Sequence, residues 1–377
     1  MQALITFAAF LVTLGILVSF HEYGHFLAAR LCGVHVMRFA LGFGKPLLTF
    51  QVRNSTEWVI ASIPLGGYVK LLDGRDPQQL ITPEMKSEAF DQKALWQRSL
   101  IVAAGPLANF VLAILLFSVI YISGAPQLPA RLQAPPDGSV AAKLGILSGD
   151  RVMGWKTIEG DSGSIPVSRD FEPVPSWNAL RWNLMDAITG EQGFALEFQG
   201  SSGGSYVKVF KKQDLPSIKP NFDPFLALGV RPELAPLTEW QELKLSPLEA
   251  VAFASHRVWV ITKVSTRLMM GLFTGNTSFK QLGGPLSIAD MAGKSAQVGW
   301  QPYLAFLALL SISIGLLNLV PLPMLDGGQL LYDAWELVSG KRLSSSMQEL
   351  FQKIGFFLLI SLTLLALFND LQRYLSP

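Results

Sequence analysis

The sequence predicts an α-helical polytopic membrane protein with four transmembrane helices, an apolar β-hairpin and one small β-rich domain outside the membrane. Three observations lead there. Hydrophobic residues make up 50% of the 377 positions and charged residues only 15%, with a mean hydropathy of +0.36, too apolar for an ordinary soluble protein. Four segments are long and apolar enough to cross a hydrocarbon core, for which about 20 residues suffice at about 1.5 Å per residue. Between the second and third of them, residues 126–236 hold 12 of the 23 prolines and short hydrophobic runs such as Phe194–Phe198 and Tyr206–Phe210, the marks of a domain of short strands.

The first span runs from Met1 to about Ala29 and carries no charge before His21-Glu22-Tyr23-Gly24-His25. Two histidines four residues apart lie on one face of a helix and can share a metal, and the glutamate between them is close enough to activate a metal-bound water. Ionisable groups inside a membrane face a bundle interior or a water-filled cavity and usually mark function. A signal peptide would need a positive leading region and a small-residue cleavage site, and neither is present.

Strand-like runs follow near Val34–Leu41, Leu47–Val52 and Trp58–Ile63, with Asn54-Ser55 as a turn signal and Pro64-Leu65-Gly66-Gly67-Tyr68 beyond. So apolar a hairpin beside the metal motif suggests a sheet dipping toward the membrane, which is permitted only where protein or a cavity satisfies its backbone. An ordinary cytoplasmic hairpin is the alternative. An open edge there could pair with a substrate strand.

The second span, Ser99–Ile122, contains Gly105-Pro106-Leu107-Ala108-Asn109, small residues suited to close helix packing with a polar Asn109 facing the site. In the outer domain, Ser139 to Val152 orders a short helix, a glycine, two apolar residues and a Gly-Asp turn before a strand. That order resembles a PDZ domain, whose groove takes an extended peptide; Leu144, Gly145, Ile146 and Leu147 are its groove candidates. Residues 237–301 read as an amphipathic helix on the membrane surface, Ser246–Phe273, followed by a linker. His256 falls on its polar face and His35 in a strand-like run, so both read as structural. The third span runs from Pro302 to about Leu331 and the last from Ile354 to about Leu371, with Asp370 near its end. The division is therefore 1–125, 126–236, 237–301 and 302–377.

Residues 30–98 hold nine Lys or Arg and the chain before His21 holds none, which sets that loop on the cytoplasmic side and the N-terminus outside. Counting spans, the outer domain and the C-terminus also lie outside. The net charge of +2, with no dense basic run, gives no case for nucleic acid. The single cysteine, Cys32, excludes an intramolecular disulfide and a Cys-based zinc site.

A catalytic zinc with two histidines needs one more protein ligand and an open position for water. Asp326 is the candidate: it stands in Asn318-Leu319-Val320-Pro321-Leu322-Pro323-Met324-Leu325-Asp326-Gly327-Gly328, near the inner end of the third span and so at a depth similar to the histidines. The prolines and paired glycines would break or kink the helix and let the carboxylate turn toward the metal. Asn318 is a candidate donor to substrate or oxyanion, as is Asn109, although a buried Asn joining helices serves equally.

HEYGH in the first span, GPLAN in the second and LDGG in the third resemble the hallmark set of the site-2 protease family of intramembrane zinc metalloproteases. RFALGFGKPL, IPLGGYVKLLD, LGGPLSIADMAG and NLVPLPMLDGGQLL resemble its bacterial sigma-E-regulating branch, and the likeness covers about two thirds of the chain. The resemblance implies one Zn2+ on His21, His25 and Asp326, with Glu22 as catalytic base. It also implies a membrane-re-entrant hairpin around Val34–Leu72, a periplasmic PDZ domain and residence in the bacterial inner membrane with the active site toward the cytoplasm. The implied substrates are single-span anti-sigma factors already trimmed by another protease, and remnant signal peptides. One departure stands out: the best-known members carry two PDZ domains in tandem, and residues 126–236 have room for one. A membrane zinc transporter and an inactive PDZ-bearing scaffold are the rivals. Transport needs neither a water-activating base nor a peptide groove, and an inactive scaffold would not need an intact HEYGH and Asp326.

Overall fold

The computed structural model describes residues 2–51, 56–76, 82–83, 85–158, 170–200, 203–216, 224–234, 236–275 and 283–375. The expected Asn54-Ser55 turn lies outside them. The chain forms two compact units, Met1–Phe117 with Leu282–Pro377, and Ser118–Gln281.

Chain order gives helix α1 (Gln2–Leu31), strands β1 (Val36–Gln51) and β2 (Glu57–Leu71), and helix α2 (Leu95–Ser123). The second unit adds β3 (Ala125–Gln127), α3 (Val140–Lys143), β4 (Arg151–Ile158), β5 (Glu172–Pro173), α4 (Trp177–Thr189), β6 (Gly193–Gln199), β7 (Ser205–Phe210), α5 (Pro224–Leu228), β8 (Gln241–Leu243) and α6 (Pro247–Thr274). The first unit resumes with α7 (Pro285–Val298), α8 (Trp300–Asn318), α9 (Asp326–Ser339) and α10 (Ser345–Leu375). Four of these helices have the length and apolarity of membrane spans: Gln2–Leu31, Leu95–Ser123, Trp300–Asn318 and Ser346–Arg373.

In the membrane unit β1 and β2 are long strands folded back on themselves. Residues 38–41 face residues 67–70 on one side and residues 57–60 on the other, and the latter also face residues 48–51. The sheet therefore has four short segments in the order 67–71, 36–41, 57–60, 46–51, and the first of them packs on α1. Gly67 makes that approach possible, since a Cβ there would lie 3.1 Å from Glu22 Cγ and 2.8 Å from the Ala40 carbonyl.

The third span ends at Asn318, short of Leu331 as the apolar run suggests. Pro321 and Pro323 stop the helix, and the chain turns through Met324, a non-glycine residue at φ 96°, before α9 begins at Asp326. Gly327 and Gly328 let this turn lie against the first turn of α9: a Cβ on either would meet the Val320 or Leu322 carbonyl at 2.2 or 2.4 Å. Residues 285–298, expected as linker, form α7, which packs on α1, α8 and α10. Its Gly284-Pro285 start is a helix N-terminus, and Asp370 of α10 caps it by accepting from the Gly284 and Ser287 amides, both at 3.0 Å.

The second unit holds a four-stranded antiparallel sheet in the order β5-β4-β6-β7 around an apolar core that includes Leu132, Val152, Leu184, Phe194, Phe198 and Phe210. α6, expected on the membrane surface, buries Ala250, Ala254, Ile261 and Val264 and packs on α4. Its basic residues Lys263 and Arg267 both pair with Asp186 of α4, at 2.6 and 2.7 Å.

Candidate metal centre

His21 and His25 lie one turn apart in the C-terminal third of α1, where Gly24 lets α2 approach closely: a Cβ there would lie 2.3 Å from the Ala104 carbonyl. Asp326 arrives from the break between α8 and α9. The three side chains meet. His21 Nε2 is 3.2 Å from His25 Nε2 and 3.2 Å from Asp326 Oδ2, and His25 Nε2 is 3.5 Å from that oxygen. Sequence reasoning named all three as candidates, and they are the one such cluster of side chains able to hold a metal ion among the described residues.

These atoms fit zinc. Tetrahedral zinc with bonds near 2.0–2.1 Å places neighbouring ligand atoms roughly 3.3 Å apart, the spacing seen. The His25 Nδ1 is 2.9 Å from the Ile101 carbonyl, which can only accept. Nδ1 therefore carries the proton, and the Nε2 lone pair points into the cluster. Asp326 Oδ2 is buried without a hydrogen-bond partner. Buried acceptors converging in this way need a cation.

Glu22 is half-buried beside the cluster, and its carboxylate accepts from the Val69 backbone amide in the 67–71 edge segment. Asn109, fully buried on α2, reaches His21 from behind, with Nδ2 3.2 Å from Nδ1. Asn318 ends α8, half-buried. The groove candidates lie in the other unit: Leu144 caps α3, Gly145 turns at φ 73°, Leu147 is exposed and Ile146, at 3% exposure, belongs to the core. His35 is 3.7 Å from Glu88, and His256 is exposed on α6. Neither joins the cluster. Sequence reasoning missed the Ile101 carbonyl, since backbone acceptors leave no mark in a residue pattern.

Span-length helices and a half-buried His-Glu-His motif with Asp326 as a third candidate ligand define a class, the membrane metalloproteases. Peptidase family M50 matches residues 9–362, and the chain belongs to that family. It is similar to a protein of Pasteurella multocida named as a zinc metalloprotease, at 35% identity over 99% of this chain and 100% of that one. The Regulator of sigma E protease of Haemophilus influenzae is 33% identical, over 99% of this chain and 100% of that one. The Regulator of sigma-E protease RseP of Escherichia coli is 33% identical, over 97% and 98%. These alignments run over 443 to 449 positions although the chain has 377, so the relatives carry segments this chain lacks. The protein is a multi-pass membrane zinc metalloprotease.

Proposed function

We propose that this protease hydrolyses peptide bonds in or beside the transmembrane segment of single-span membrane proteins, anti-sigma factors among them, and remnant signal peptides. The observation that carries the reading is the three-atom cluster on span-length helices with Glu22 beside it. His21, His25 and Asp326 would hold one zinc ion, which when bound lowers the pKa of water and polarises a carbonyl. The Glu22 carboxylate takes the proton of the attacking water and passes it to the leaving nitrogen. Asn318 is the candidate donor to the carbonyl oxygen. A helical substrate hides that carbonyl in its own hydrogen bonds, so it must unwind locally, and residues 67–71 offer an edge for the extended strand immediately beside Glu22. The sigma-E names of two relatives support the substrate class.

Exposed Leu47, Leu48 and Phe50 on the segment farthest from α1 support a hairpin that re-enters an inner membrane from the cytoplasmic side. The PDZ-like outer domain then lies in the periplasm, with both termini, and restricts access by bulky substrates. The sequence order from Ser139 to Val152 supports it, followed in the structure by a sheet and α4. In a Cys32→Ser background, a cysteine at exposed Lys212 should react with an impermeant outside reagent and one at Glu88 should not; the reverse pattern inverts the orientation.

Glu22→Gln is the direct test. It should retain zinc and lose cleavage of a model transmembrane peptide by about 10²–10⁴-fold, the usual worth of a general base. A transporter or scaffold would cleave nothing in either form.

A further inference from the structure

Ile101, Gly105 and Asn109 recur every fourth residue along α2 and so share one face. Each meets a metal-binding histidine. The Ile101 carbonyl accepts from His25 Nδ1 at 2.9 Å. A Cβ on Gly105 would lie 2.2 Å from His25 Nε2, so the imidazole lies directly on bare backbone. The Asn109 amide lies 3.2 Å from His21 Nδ1. Asn109 is itself held in place, with its backbone carbonyl accepting from buried Ser311 of α8 at 2.7 Å, and Gly315 of α8 leaving room for its Cβ.

We infer that this face of α2 is a positioning device for the metal centre, in which Asn109 Oδ1 accepts from His21 Nδ1–H as the Ile101 carbonyl accepts from His25. The two ends of an amide are interchangeable by a half-turn about its last bond. With Nδ2 toward His21, Nδ1 must accept, Nε2 must carry the proton, and His21 can only donate to Asp326. With Oδ1 there, Nδ1 carries the proton and Nε2 presents a lone pair, matching His25. Only the second arrangement makes both histidines ligands through the nitrogens that converge on Asp326. Asn109 is thus a positioning residue, with no part in oxyanion binding.

The inference rests on the zinc reading, and the test separates the two. Metal affinity is measured by chelator competition, and the ligand field by Co2+ absorption, in a Glu22→Gln background that removes turnover from the readout. The parent should bind one equivalent. Asn109→Leu, which keeps the volume and deletes the acceptor, should weaken binding by about 10–100-fold, the usual cost of losing a hydrogen bond to a metal-bound histidine. Asn109→Asp, which has only acceptors, should bind within about threefold of the parent and keep its Co2+ spectrum. If Asn109→Leu does not fold, Asn109→Ala is compared with Asn109→Asp instead. Equal binding by the Leu and parent forms overturns the inference, and so does equal weakening by Leu and Asp, which would make Asn109 a donor or a packing residue. A parent without metal would overturn the zinc reading itself.

Discussion

The two units are held together by different physics. In the second unit one apolar cluster of Trp155, Leu180, Leu184, Phe194, Phe198, Phe210 and their neighbours fills the space between sheet and helix, as in any small water-soluble domain. In the membrane unit the apolar clusters are small and scattered, around Ala29 and Ile101, around Ala292 and around Leu17 and Leu307. Polar contacts join them. Fully buried Arg98 of α2 bonds Glu336 of α9 at 2.6 Å, Ser99 donates to Asp333 at 2.9 Å, Asp370 caps α7, and the His21–Asp326 contact ties α1 to the start of α9. Lipid is as apolar as leucine, so apolar burial gives spans little reason to associate; small residues and polar pairs must do it. The membrane unit thus spends its polar contacts on fixing helices relative to one another, and the candidate site residues belong to that framework.

Removing a cluster ligand should therefore have the largest effect and stay within one unit. His21→Ala, His25→Ala or Asp326→Ala should weaken metal binding by more than about 100-fold, beyond the range for supporting groups, while the second unit keeps its resistance to limited proteolysis. If Asp326→Ala binds metal as tightly as the parent, the third ligand lies elsewhere.

The converse is a core deletion in the second unit. Phe198→Ala removes a fully buried ring stacked on Tyr206 with centroids 5.2 Å apart, and should cost that unit about 3–5 kcal/mol. Rapid proteolysis between residues 126 and 236 with metal content intact is expected; loss of metal would show that the two units do not divide as described.

How far the sequence revealed this follows the same division. The spans were legible because hydropathy is local, and His21, Glu22 and His25 because four-residue spacing implies one helix face. Asp326 could be named because few carboxylates stand in so apolar a stretch. The α8–α9 break was half-legible: the prolines and glycines announced it, yet the apolar run continues past Asn318 and hid where the span stops. α7 was missed because a 14-residue helix whose partners are α1, α8 and α10 looks like linker in isolation. The hairpin's four-segment order was hidden too, since register is set by pairings between distant residues. Asn109 was visible as a polar residue in a span, but its partner was not.

A smaller effect tests the polar framework away from the metal. Asp370→Asn keeps the size of the side chain and removes the charge that accepts from the Gly284 and Ser287 amides. It should destabilise the α7–α10 contact by about 1–3 kcal/mol, read as faster amide exchange in α7, with α1 and the metal unaffected. Unchanged exchange would mean that apolar packing holds α7.

The smallest expected effect is electrostatic and belongs to the second unit. Tyr206 of β7 stacks on Phe198 and donates its hydroxyl to Asp150, the buried aspartate of the Gly-Asp turn, which also accepts from the Leu147 amide at 2.7 Å. Burial, and next the Asp150 carboxylate, push the Tyr206 phenol above its ordinary value of 10.0. The neutral phenol is therefore favoured by folding. Its contribution is fully present below about pH 10 and is lost as pH rises through the folded-state value. Tyr206→Phe keeps the ring and deletes the hydroxyl, leaving Asp150 one donor short, and should cost about 1 kcal/mol at neutral pH. Thermal unfolding of the second unit followed from pH 8 upward should show parent and variant beginning to converge above about pH 10, where the unfolded chain's phenol ionises while the folded one stays neutral; parallel curves would show that the hydroxyl stabilises the unit only through packing.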